Sequence, residues 1–227
     1  MQGLDAHLIE LKKRFRLVAL FFLFSVGLSF YFSSNVLEWV QSDLGFSLHA
    51  LTAYEVLYTQ LLIAFLLGLL LSLPFIFYEA LEFMRPGLKE EEYRALRNYL
   101  PFSVVLFLMG AAFSYNYIVK FSLGFLQSTT DASSVPAIWG LQNTVGFALR
   151  LSALTGIIFQ LPIFSLILAR AGLLNREMMV EYRPYFFIVI LVVSAVATPP
   201  DVISQVLVTG PVLLLYQLSI FLVGRVE

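Results

Sequence analysis

Residues 56–78 read VLYTQLLIAFLLGLLLSLPFIFY, and residues 79–94 follow at once as EALEFMRPGLKEEEYR. The first stretch carries no charged side chain over 23 positions. As a helix it would rise about 35 Å, enough to cross a hydrocarbon core of about 30 Å. The second stretch is dense in charge, with Arg85, Lys89 and Arg94 among its bases. An apolar run that stops against a basic loop is the pattern of a membrane span ending at the cytoplasmic surface.

The same pattern recurs outward in both directions. Six apolar runs are expected as helices, at about 15–32, 56–78, 100–119, 141–168, 184–197 and 202–223. Pro74 falls near the inner end of span 2, Pro162 lies inside span 4, and Gly210-Pro211 is expected to interrupt span 6. Span 5 is short: 14 residues give about 21 Å, so either the bilayer thins around it or neighbouring helices cover its end. The residues before span 1 include Asp5 and Glu10, and no small-residue cleavage site closes the run, so it is expected to remain as an anchor.

Composition points the same way. Hydrophobic residues make up 59% of the 227 positions and charged residues 13%, with mean hydropathy +0.86. Soluble domains carry about a quarter charged residues. The net charge of −1 gives no nucleic-acid signature. There is no cysteine, and His7 and His49 stand in different segments, so neither a thiolate nor a histidine metal centre is expected, and no cofactor is implied.

Twelve of the 14 Lys and Arg residues fall on one side of this arrangement: four at the start of span 1 (Lys12, Lys13, Arg14 and Arg16), four between spans 2 and 3, three between spans 4 and 5, and Arg225 at the end. The positive-inside rule then places both termini in the cytoplasm. The opposite side has only Lys120, and Arg150 falls inside span 4. Two outer caps are expected, at 33–55 (with Glu38, Trp39, Asp43, Tyr54 and Glu55) and at 120–140 (with Trp139). A rigid corner at Pro199, Pro200 and Asp201 would turn span 5 into span 6.

Several segments carry a family resemblance. They are HLIELKKRF (7–15), EFMRPGLKEEEYR (82–94), FLMGAAFSYNY (107–117), FALRLSALTGIIFQLPI (147–163), RPY (183–185) and TPPDVISQ (198–205). In this order and spacing the chain resembles the TatC family, the signal-peptide receptors of the twin-arginine protein translocase. The resemblance covers nearly the whole chain. It implies an all-α integral membrane domain of six transmembrane helices, a concave bundle with short helices 5 and 6. It also implies binding of twin-arginine signal peptides of folded precursors at the cytoplasmic face, recruitment of TatA- and TatB-type single-helix subunits, contact with other TatC copies, and transport driven by the proton-motive force. The outer stretch EWVQSDLGFSLHALTAYE (38–55) is shorter than the family's loop and lacks its proline, so that loop's contacts do not carry over.

By the resemblance, Glu10 and Glu92 belong to the signal-peptide site. The chemistry agrees, because paired guanidinium groups on a ligand call for carboxylates. Read from the residues alone, Glu10 is an i,i+4 partner for Arg14 and Glu92 one solvated charge of the run Glu90-Glu91-Glu92. Lys12 stands where the family usually has Arg and would pair with a lipid phosphate or orient Glu10. Phe83 and Pro86 match the loop motif. Phe83 would pack the apolar stretch behind the arginines, or simply be buried at the interface.

Polar groups inside the membrane are functional suspects. Gln160 and Gln217 stand where the family often has Glu. Each could hydrogen-bond a partner helix or serve as glue between helices of this chain, at about 0.6–2 kcal/mol. Gln217 reads first as internal glue, and Gln160 equally as either. Arg150 would snorkel to the outer headgroups or pair with an outer acid. The rival to the receptor reading is a small-solute or ion transporter, which would need a polar path near mid-membrane. An intramembrane enzyme finds no support: there is no HExxH, no GxSxG and no paired membrane aspartate.

Overall fold

A computed structural model describes residues 2–45, 47–87, 89–131, 138–197 and 202–226; for residues 2–8, 87, 91, 92, 95, 197, 202 and 203 it describes the backbone only. Helix α1 is Gln2–Leu44 and α2 is Glu55–Met84, with strand β1, Leu48–His49, between them. A 3-10 turn at Arg85–Gly87 leads into α3, Glu90–Asn98. Helix α4, Leu100–Phe113, continues through a π-helical turn at Ser114–Val119 into α5, Lys120–Asp131. Strand β2 is Trp139–Gly140, followed by α6, Leu141–Ile158, and α7, Leu161–Arg170. Helices α8, Arg176–Glu181, α9, Arg183–Ala197, and α10, Val202–Val223, complete the described chain.

Five helical stretches are long and apolar enough to cross a membrane, and the apolar helix at Arg183–Val196 is shorter. Helix α9, at 15 residues, rises only about 22 Å. Helix α10 does not fit the short sixth helix that the resemblance implied. Its 22 residues rise about 33 Å, and it runs through Gly210-Pro211 without the expected break. Proline costs a helix one hydrogen bond, and in an apolar setting packing against neighbouring helices can carry that loss.

The described parts of the stretches expected as outer caps are mostly helix. α1 is 43 residues long, about 65 Å, so it overshoots the expected end at residue 32. Its buried stripe Ser25, Ser29, Ser33, Leu37 and Val40 keeps helical spacing across the supposed boundary, while Glu38 and Trp39 stay exposed. Helix α1 lies close to α2. A methyl group at Gly68 would come within 2.8 Å of the Val26 backbone, so only glycine fits there. Residues 120–131, expected as a loop, extend span 3 instead. The two extensions are bonded together: Lys120 Nζ lies 2.9 Å from Asp43 Oδ2, and the Tyr115 hydroxyl donates to the same oxygen at 2.8 Å. Above them β1 and β2 pair in parallel, Leu48 opposite Trp139 and His49 opposite Gly140. The corner at Pro199, Pro200 and Asp201 lies outside the described residues.

Span 4 is two helices. Pro162 has no N–H for the Ile158 carbonyl, and the chain turns at Phe159-Gln160. This turn seats on α4 through two reciprocal contacts. A methyl group at Gly110 would meet the Phe159 ring at 2.6 Å, and one at Gly156 would meet the Phe107 ring at 2.9 Å. Two packed clusters result. One, toward the β1–β2 end, gathers Leu37, Ile63, Ile118 and Val145; the other, toward the basic end, gathers Phe77, Leu81, Leu96, Phe107 and Ile167.

Candidate functional site

The basic end is built from the start of α1, the end of α2, the turn after it and the end of α7. Helix α2 runs six residues past Tyr78 because its buried face continues through Glu79 and Leu81. This carries Glu79 and Glu82 on the helix rather than in a loop. Arg14 then ties α1 to α2. Its Nε and Nη2 donate to Glu10 Oε1 at 3.0 and 2.8 Å, and its Nη1 donates to Glu79 Oε2 at 2.9 Å. The i,i+4 pair read from sequence is present, and a second carboxylate from 65 residues away joins it.

Beside this triad lies an apolar cavity of about 480 Å³ between α1, α2 and α7. Arg14 and Glu79 line it together with Phe15, Phe83, Met84, Phe164 and Leu173. Phe83 is half-buried there, so the structure brings it together with the Glu10–Arg14–Glu79 triad. Pro86 is exposed in the 3-10 turn, and Lys12 is exposed on α1. Glu92 lies on α3, and its side chain is outside the described residues.

A second set of contacts folds the turn and α3 back. Buried Tyr93 donates its hydroxyl to Glu82, and the Arg85 guanidinium sits 4.8 Å from the Tyr93 ring centroid. The bond to Glu82, with burial behind it, pushes the Tyr93 phenol above its ordinary pKa. Arg85 Nη1 also approaches Glu82 Oε2 at 3.6 Å. Glu79 and Glu82 are acids of this end that the sequence reading did not single out. The available signal was a pair of acids three apart at the end of an apolar run, facing a basic amino-terminal segment.

The profile of the family described as Sec-independent protein translocase protein (TatC) matches residues 6–211. The chain belongs to the TatC family. It is 32% identical over 219 residues to TatCy of Bacillus subtilis strain 168, covering 95% of this chain and 86% of that protein. It is 33% identical over 226 residues to TatC of Aquifex aeolicus strain VF5, covering 96% and 93%. Its fold is similar to a crystal structure of the twin-arginine translocase receptor TatC in the detergent DDM, with TM-score 0.85, 33% identity, and coverage of 95% and 98%. A second crystal structure of that receptor gives TM-score 0.82 at 31% identity. The family is one of protein-transport components, so the chain is a membrane transport protein and not an enzyme. The small-solute transporter reading is not favoured.

The intramembrane polar residues behave differently from one another. Gln160 is buried and donates Nε2 to the Ser103 carbonyl at 3.0 Å and the Gly156 carbonyl at 3.4 Å. The Gly156 carbonyl is open to it because Gln160 N turns to Ile157 O instead. In this TatC-family chain Gln160 thus joins α4 to the α6–α7 turn, and its Oε1 has no hydrogen-bond partner among the described residues. Gln217 is exposed on α10 and makes no hydrogen bond among the described residues, which corrects its reading as internal glue. The cause is its position on the exposed face of α10, with Tyr216 and Ile220 turned inward. Arg150 is exposed, and its Nε donates to the Gly146 carbonyl one turn earlier in α6, at 2.9 Å. It folds back toward the start of α6, and no acid among the described residues pairs with it.

Proposed function

We propose that the protein is the receptor subunit of a twin-arginine translocase and that its basic end is the face that takes the signal peptide. The observation that carries this reading is a carboxylate site opening beside an apolar cavity at that end. Both Arg14 contacts to Glu10 fall on Oε1, so Glu10 keeps an oxygen for an incoming guanidinium. Phe83 forms part of the cavity wall that would pack the apolar segment behind the arginines. Glu92 on α3 supplies a second acid, Pro86 shapes the turn between α2 and α3, and exposed Lys12 faces lipid phosphates.

The wider reading follows from charge. Twelve of 14 basic residues group on one side of a six-span arrangement, with α9 as the short span. That supports a cytoplasmic membrane location with both termini inside. Partners are twin-arginine precursor proteins, TatA- and TatB-type single-helix subunits and other copies of the chain, within the lipid bilayer. Exposed Gln217 on α10 suits hydrogen bonding to a partner helix, and Gln160 and Arg150 are secondary candidates. Transport itself draws on the proton-motive force, with folded cargo passing through an assembly larger than this bundle.

Site-specific photocross-linking tests the reading. A photoreactive residue at position 83 should capture a twin-arginine signal peptide, and Glu10→Ala or Glu92→Ala should reduce that capture with the protein still folded. Undiminished capture in both variants would remove the carboxylates from the site.

A further inference from the structure

Arg14 already does to Glu10 and Glu79 what a signal-peptide arginine would do. Its guanidinium spans two carboxylates from two helices, with three contacts between 2.8 and 3.0 Å. It sits at the rim of the apolar cavity, where Arg14 and Glu79 are lining residues beside Phe15 and Phe83. A ligand that placed its apolar segment in that cavity would bring its own arginine to the same two acids.

We infer that Glu79 is an arginine-binding residue of the receptor site and that Arg14 is its resident occupant in the unliganded state, displaced by an arginine of the signal peptide. The inference rests on the receptor reading above and names a residue and an exchange that reading does not contain. Charge supports it. Two carboxylates and one guanidinium leave the triad one negative charge, whereas the two acids alone match the two positive charges of a twin-arginine pair. Exposure supports it too. The Glu10 side chain is 34% exposed and Arg14 22%, so the pair is open to approach, while Glu79 at 11% is sheltered enough to prefer a charged partner. A partly exposed ion pair is weak, so exchanging one arginine for another costs little. The exchange also favours arginine over lysine. A planar guanidinium can bridge the two carboxylates, and a compact ammonium meets them as a point charge.

The test uses the full chain in lipid nanodiscs and fluorescence anisotropy with a labelled synthetic peptide. The peptide carries Arg-Arg before an apolar segment, and a matched one carries Lys-Lys. Arg14→Gln removes the competitor and should tighten Arg-Arg binding by about 1.5- to 5-fold, the range set by a partly exposed ion pair. Arg14→Lys keeps the charge but bridges poorly, and should tighten it less. Glu79→Gln should weaken Arg-Arg binding about tenfold and pull the Arg-Arg to Lys-Lys affinity ratio toward one. A purely structural Glu79 would weaken both peptides equally, and that result overturns the inference. So does an Arg14→Gln variant that binds Arg-Arg no better than the parent while remaining folded by thermal melting. If the parent chain itself binds the two peptides equally, the receptor reading fails first and the inference falls with it.

Discussion

Gly110→Ala should unfold this bundle more easily, although alanine is the better helix former. The added methyl would lie 2.6, 2.8 and 2.9 Å from Cγ, Cδ2 and Cβ of Phe159. Carbon atoms pack at about 3.5–4.0 Å, so α4 and the α6–α7 turn must separate by roughly 1 Å. Rotating the ring does not relieve the clash, because Cβ is fixed by the backbone. Phe159 is 7% exposed and has no open side to move into. The separation also stretches the neighbouring bond from Gln160 Nε2 to the Ser103 carbonyl, now 3.0 Å. Overpacking costs about 1–3 kcal/mol and an interhelical hydrogen bond about 0.6 kcal/mol, so the sum is about 2–4 kcal/mol. The assay is equilibrium unfolding in mixed detergent micelles, followed by the fluorescence of Trp39 and Trp139. Gly124→Ala is the control: nothing lies within 4 Å of a methyl group there, so the change should be neutral or stabilising by up to about 1 kcal/mol. If both variants unfold at the same denaturant, the reciprocal glycine–phenylalanine seat is not what joins α4 to span 4.

Three further expectations follow from the same geometry. Asp43→Asn should loosen the outer extensions by about 1 kcal/mol, because it discharges the partner of Lys120 in a partly exposed pair; limited proteolysis between α1 and α2 should accelerate. Gln160→Glu should destabilise more than Gln160→Leu at neutral pH, measured by the same unfolding assay, because a carboxylate cannot donate to the Ser103 and Gly156 carbonyls and faces both of them. Gln217→Leu should leave stability within about 0.5 kcal/mol, since the side chain bonds to nothing among the described residues, but should reduce disulfide or photochemical capture of a single-helix partner along α10.

The apolar runs were readable because a helix in lipid needs about 20 of them in a row, and no packing detail alters that need. The ends were less readable for the same reason. Beyond the apolar run the sequence turns polar, so Ser33 to Asp43 looked like a loop while Leu37 and Val40 kept α1 docked. Residues 120–131 misled in the same way, held helical by Lys120 on Asp43 and by Ser122 on Ser204. Gly210-Pro211 looked like a break because local chemistry disfavours it, yet packing along α10 overrides that cost. At the candidate site, Glu10 and Phe83 were legible from motif and position. Glu79 was not, because its role depends on Arg14 reaching it across 65 residues, and no local pattern records that contact. Gln160 and Gln217 looked alike in sequence, and only the helix faces separate the buried one from the exposed one.

The central claim is that the basic end of this chain recognises paired arginines. Its most direct test is the binding of the purified chain, in nanodiscs and without partner subunits, to Arg-Arg and Lys-Lys forms of one signal peptide, read by calorimetry. The Arg-Arg form should bind tighter by about tenfold or more, with the preference lost in Glu10→Ala. Equal affinity for the two peptides, or a preference that survives loss of the Glu10 carboxylate undiminished, would contradict it.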